Sequence, residues 1–204
     1  MPPNRGRSYL AVPPEDPTGL ESFPELIVPA GTIMHRIHRA ALGAWWFDAS
    51  EAWRFNPCGA PGLGACYLGE RAVAGLLEVF KGLRVIDEVE VRMRTHLCVT
   101  LESSIRLADV CASAANSFGV NGEIHSTTDY VLTQQWASAL ALAGFAGVRY
   151  LCRSDPGMQL VGYALFDRVG EAPAGRWPGG GDRPIGDELL QEAERYGLLV
   201  RPAP

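Results

Sequence analysis

The sequence predicts a mixed α+β domain, and three observations carry that prediction. Residues 71–81 (RAVAGLLEVFK) repeat apolar side chains at helical spacing. Residues 96–101 (HLCVTL) alternate, with Leu97, Val99 and Leu101 set against His96, Cys98 and Thr100, the period of a half-buried strand. The remaining strand and helix signals do not alternate regularly, which disfavours a doubly wound parallel sheet.

The elements follow in order. Residues 1–25 carry Pro at 2, 3, 13, 14, 17 and 24 and read as an extended arm. A domain spans 26–168. It opens with a short strand at Ile33–Arg39, then a polar and aromatic loop through WRFNPCGAPGLG, a brief strand at CYL and the helix 71–81. The segment VEVRMRTHLCVTLES is read as a strand and residues 104–115 as a helix. VLTQQWASALALAG is a further helix, with Thr133 in its first turn and Gly144 at its C-terminal end. GVRYLCR and VGYALFDR are two strands joined by a turn carrying Asp-Pro-Gly. Residues 169–204 form a Pro/Gly linker and a short amphipathic helix, whose Leu189, Leu190 and Ala193 can cover the domain or mediate assembly.

Composition narrows the function. The chain has 204 residues, 47% of them hydrophobic, and a net charge of −5, enough for a sizeable core. The acidic balance argues against sequence-independent nucleic-acid binding. It leaves open a small anion held by a few local arginines. No apolar run approaches the roughly 20 residues that cross a bilayer. Five scattered cysteines without a C-x-x-C pair fit a reducing cytoplasm.

Several residues could carry chemistry. At about 100° per residue, Glu78 lies nearly opposite the apolar stripe of its helix, among Ala74, Gly75 and Gly82. It is either a solvated helix glutamate or a carboxylate that something small can approach. Arg36 and Arg39 occupy opposite faces of one strand, and alternation does not choose between them. Arg54 precedes Phe55-Asn56-Pro57 and a Gly-rich run that lacks the Lys-Ser/Thr of a phosphate loop. Tyr67 can stack on a planar ring or pack half-buried. His35 and His38 point to opposite faces, against a shared metal, and no Ser sits in a G-x-S-x-G elbow.

Taken in order, HRIHR, WRFNP, GACYLGE, AVAGLLEVF, DYVLTQQWASALALAGFAGVRYLCRSDPG and YALFDR resemble the RES domain family from about Gly31 to Arg168. The resemblance implies an ADP-ribosyltransferase-like fold, a split mixed β-sheet around an NAD cleft. It also implies a cytoplasmic toxin of a bacterial toxin–antitoxin pair that degrades NAD. The reaction implied is phosphorolysis to nicotinamide and ADP-ribose 1''-phosphate, with inorganic phosphate as co-substrate and no metal. Transfer of ADP-ribose to a protein and a catalytically silent, partner-binding role are the alternatives. The implied partners are an Xre-type antitoxin and a second copy of the chain, with neither nucleic acid nor membrane bound by the chain itself.

Residue by residue, the family's first-strand arginine falls on Arg36 and the arginine of its R-aromatic-N-P turn on Arg54. Its tyrosine falls on Tyr67 and its glutamate on Glu78. The family's Tyr-x-Ser-Arg reads Tyr150-Leu151-Cys152-Arg153 here, so Cys152 stands where a serine is expected and Ser154 follows two residues later. In this scheme Arg36, Arg54, Tyr67 and Glu78 bind NAD, while Arg36, Tyr67, Glu78 and either Cys152 or Ser154 serve the chemistry.

Overall fold

A computed structural model describes residues 9–202. Its elements, in chain order, are β1 (Glu25–Val28), β2 (Ile33–Arg39), β3 (Trp46–Phe47), β4 (Leu63–Gly69), α1 (Ala72–Phe80), β5 (Val85–Asp87), α2 (Glu88–Arg92), β6 (Arg94–Thr100), β7 (Ile105–Asp109), α3 (Glu123–Ser126), α4 (Val131–Leu142), β8 (Gly147–Leu151), β9 (Val161–Arg168), β10 (Gly170–Glu171), β11 (Asp182–Pro184), α5 (Asp187–Glu194) and β12 (Leu199–Arg201). Eight strands form one sheet in the order β1-β7-β8-β9-β4-β2-β6-β11. The pairing β7–β8 is parallel and the others are antiparallel, so the sheet is mixed. Parallel neighbours need a crossover, and the segment carrying α3 and α4 supplies it.

Each sheet face has its own core. One buries Ile37, Ala65, Val148, Tyr150 and Ala164 beneath α1 and α4. The other buries Met34, Cys66, Leu97, Val99 and Leu165 with Trp45 and Phe47. The two helices expected at 71–81 and from 131 are present, and Thr133 donates to Tyr130 O in the first turn of α4. Gly144, just past α4, takes a left-handed φ of +86° that suits glycine alone without strain.

Two expectations are corrected. Residues 105–109 form β7, not a helix. Leu107 and Ala108 are both fully buried, one in each core, and a strand covered on both faces loses the alternation that would reveal it. Residues 88–92 form α2, not the start of a strand. Glu88 and Glu90 lie in its first turn and Arg92 in its last, the charge order that a helix dipole favours.

The segment before β1 is anchored to the domain. Leu10, Leu20 and Phe23 are buried in the first core, and Trp136 Nε1 donates to Ala11 O at 2.7 Å. At the other end α5 lies on α1, burying Leu189 and Ala193, with Arg71 paired to Glu192. The tail helix thus covers the domain. All five cysteines are free, and no described helix is long and apolar enough to cross a membrane.

The ring of Tyr150, on β8, is seated directly over a glycine of β9. A Cβ on Gly162 would lie 2.4 Å from Tyr150 Cζ. Gly162→Ala is expected to cost about 1–3 kcal/mol by overpacking, read as a lower midpoint in urea unfolding. An unchanged midpoint would show that the Tyr150 ring is not held there.

Candidate active site

The cleft exists because two neighbouring strands part. β4 pairs with β9 along its whole length, Leu63 to Gly69, and β2 pairs with β6 from Ile33 to Arg39. Between β2 and β4 only His35 and Gly69 are in register. Beyond that point the strands diverge, and the gap is a cleft of about 400 Å³ lined by Arg36, Trp53, Tyr67, Glu78 and Lys81, among others, a size suited to a small molecule. A small recess adjoins it, sharing Trp53, Tyr67, Glu78 and Lys81 and adding Arg54 and Ser154. A larger groove of about 720 Å³ lies between residues 12–17 and α4, but its charged lining is acidic (Glu15, Glu51, Asp129). That is the wrong sign for phosphate.

Helix α1 crosses the split. Its small residues serve packing: a Cβ on Gly75 would stand 3.4 Å from His35 O, and Ala74 is fully buried. The helix buries nearly its whole circumference, and Glu78, half-buried, faces the cleft and recess. Tyr150 Oη, fully buried, donates to Glu78 Oε2 at 3.2 Å, which fixes the carboxylate.

Both arginines are held inside the protein. Arg36 is 8% exposed; it donates to Cys66 Sγ and, at 3.1 Å, to Trp46 O. Burial lowers its pKa to about 10, against the pull of Asp182, so it stays cationic at neutral pH. Arg54 is 5% exposed, donates to His125 O and lies 5.7 Å from the ring centres of Phe55 and Tyr150. In each of them Nε is buried without a partner among the described residues, a costly state for a charged donor. Arg39, the other strand candidate, is exposed at the cleft rim.

Tyr67 accepts from Phe55 N at 2.9 Å and donates to Asn56 Oδ1 at 3.0 Å. Asn56 in turn donates to Asp48 Oδ1 and Ser50 O, each at 2.7 Å. The hydroxyl therefore pins the R-F-N-P turn, and the ring is what remains for the cleft. Burial pushes its pKa well up, so it remains a phenol.

Cys152 and Ser154 do not share a strand face. β8 ends at Leu151, Cys152 N donates to Leu160 O at 2.8 Å, and the chain then turns. Cys152 is fully buried beside Glu78, where burial first and then the carboxylate drive its thiol pKa up. It is a neutral neighbour of the carboxylate and no thiolate nucleophile. Ser154 is the one of the two that lines the recess. Sequence reasoning missed Tyr150, Trp53 and Lys81 as site residues, although Trp53 opens the WRFNP turn and Lys81 ends the α1 segment.

The histidines behind the site are poised against protonation. His125 Nδ1 accepts from Leu151 N at 3.3 Å, and burial followed by Arg54 lowers its pKa to about 4. Arg183 can only donate, so His96 Nδ1 accepts from it, and His96 Nε2–H then faces His35 Nδ1 at 3.0 Å. Burial and Arg183 lower His96 to about 4 as well. Between the ordinary value of 6.5 and about 4 the unfolded chain binds more protons than the folded one, so stability falls as pH falls through that window. Melting is expected to drop by about 5–10 °C across it, with the slope flattened in His125→Asn; a flat wild-type profile would contradict this.

Comparison with known proteins places this architecture. The RES domain family model matches residues 33–180, most of the chain and all of the cleft-bearing strands β2, β4 and β9. The chain belongs to the RES domain family. Among solved structures it is similar to a chain of the M. tuberculosis MbcT–MbcA toxin–antitoxin complex. That match has a TM-score of 0.66 at 16% identity and covers 89% of this chain and 98% of that one. No curated protein matches the sequence.

Proposed function

We propose that this protein is the toxin of a bacterial toxin–antitoxin pair and acts by cleaving the nicotinamide–ribose bond of NAD. The observation that carries this reading is the pair of buried arginines, Arg36 and Arg54. Each has an unpartnered Nε, and they line the same cleft and recess as a carboxylate held by a buried tyrosine. Two forked cations suit a pyrophosphate, and one oriented carboxylate suits the positive charge that grows on the ribose as its glycosidic bond breaks.

In this reading Arg36 and Arg54 hold the phosphates and bring the ribose against Glu78. The C1''–N bond breaks with its electron pair passing to the pyridinium nitrogen, and nicotinamide leaves neutral. Inorganic phosphate donates an oxygen lone pair to C1'', giving ADP-ribose 1''-phosphate. Tyr150 acts through Glu78 by keeping it aimed, and Ser154 lines the recess. Cys152, buried and protonated, contributes packing and polarity beside the carboxylate. An Xre-type antitoxin that closes the cleft, and assembly of the toxin as a homodimer, belong to the same reading. The complex to which the similar structure belongs is described as a toxin–antitoxin complex.

The test is nicotinamide release from NAD by the purified protein freed of any partner. Multiple turnovers that accelerate with phosphate support the reading. Stable labelling of a protein by the ADP-ribose moiety would replace it with transfer, and no release by a folded, monodisperse sample would remove the enzymatic reading.

A further inference from the structure

The proposed reaction gives the leaving ring no protein partner, yet the wall of the cleft holds a position built for a cation. Lys81 Nζ lies 3.7 Å from the centre of the Trp53 ring and donates to Ala52 O at 2.7 Å. Asp48 and Glu78 both favour its charge, while burial and Arg153 oppose it and lower its pKa overall. One small volume thus combines an aromatic face, a carbonyl oxygen and two nearby carboxylates. Trp53 and Lys81 line both the cleft and the recess, next to Glu78, and Tyr67 packs against Trp53 with ring centres 5.5 Å apart.

We infer that Trp53 is the platform for a flat aromatic cation, the pyridinium ring of oxidised NAD, and that this ring displaces the Lys81 ammonium from the indole face. The inference rests on the reading of the cleft as an NAD site. The chemistry matches on three counts. A pyridinium ring offers both stacking area and positive charge to an indole, the best of the aromatic faces for a cation. The lysine can vacate its place, because its ammonium is exposed on a flexible four-carbon stem. Once the glycosidic bond breaks, nicotinamide is neutral, so the attraction ends with the reaction and Lys81 can return as the product leaves. Since the attraction acts on the substrate's charge before cleavage, it serves selection of the oxidised dinucleotide and release of the product more than rate.

The test compares affinities of the full-length protein for oxidised NAD and for NADH, whose nicotinamide ring is neutral, by calorimetry at a temperature and time where turnover is negligible. A second arm compares 1-methylnicotinamide, the cation alone, with neutral nicotinamide by ligand-observed NMR. The expected result is a preference of about 5- to 30-fold for the cationic member of each pair. Trp53→Leu should reduce that preference to within about twofold, Trp53→Phe should keep part of it, and Lys81→Met should tighten oxidised NAD by removing its competitor. Three results would overturn the inference: equal affinity for both members of each pair, equal weakening of both by Trp53→Leu in a variant that melts normally, or weaker binding of oxidised NAD by Lys81→Met. The last would make Lys81 a phosphate ligand. Selective binding without any nicotinamide release would sink the proposed reaction and leave the platform standing, whereas turnover without selectivity would sink the platform alone.

Discussion

Glu78→Gln is expected to lower nicotinamide release from NAD by about 10²- to 10³-fold while leaving the fold intact. Glutamine has the same shape, and its amide oxygen can still accept from Tyr150 Oη, the bond that reaches Glu78 Oε2 at 3.2 Å. What it loses is the negative charge that the proposed reaction sets against the ribose. The substitution also removes a carboxylate next to the buried thiol of Cys152 and the buried phenol of Tyr150, both of whose pKa values it helps to raise. Both groups stay protonated at neutral pH, so the substitution relieves no charge repulsion, and the variant should melt close to the wild-type temperature. Inactivity combined with a lower melting temperature would point to a structural role and count against the assignment.

Arg54→Met carries the second large effect. Methionine fills part of the space but cannot donate to His125 O or place charge beside the rings of Phe55 and Tyr150. Losing a buried, charge-assisted hydrogen bond costs about 1.5–3 kcal/mol, or about 3–12 °C in melting temperature for a chain of this size. A ligand phosphate that pairs with Arg54 would stabilise the wild type on binding. ADP-ribose should therefore raise the melting temperature of the wild type and not that of Arg54→Met. An equal rise in both would place the phosphates elsewhere, against Arg36 alone.

Much of the fold was legible because its signals are local. The strand at Ile33–Arg39, the helix around Glu78, the helix from Val131 and the antiparallel pair β8–β9 each follow from periodicity or turn chemistry. β7 was not legible, since the adjacent Leu107 and Ala108 face two different cores and IRLAD shows no sustained apolar–polar alternation. The anchoring of residues 9–24 rests on Leu10, Leu20 and Phe23, three side chains too widely spaced to form a pattern.

The site was legible in part. Arg36, Tyr67 and Glu78 converge on the cleft, with Arg54 and Ser154 in the adjoining recess. The helix pattern put Glu78 opposite the apolar stripe, but periodicity does not distinguish solvent from a cleft, and the split between β2 and β4 is a property of strand pairing. Cys152 and Ser154 stand two residues apart, the spacing of one strand face, but the chain turns after Leu151 and separates them. Trp53 and Lys81, far apart in the chain, come together only because the 48–57 loop folds back over the end of α1, where Lys81 takes a left-handed φ of 50°. No spacing rule reports that contact.

The most direct measurement is the phosphorus NMR spectrum of NAD incubated with the purified protein and inorganic phosphate. The NAD signals should give way to those of ADP-ribose 1''-phosphate, with a new phosphate monoester resonance growing in step with free nicotinamide. A spectrum in which NAD persists unchanged, from a protein that is folded and free of any bound partner, would contradict the proposed reaction.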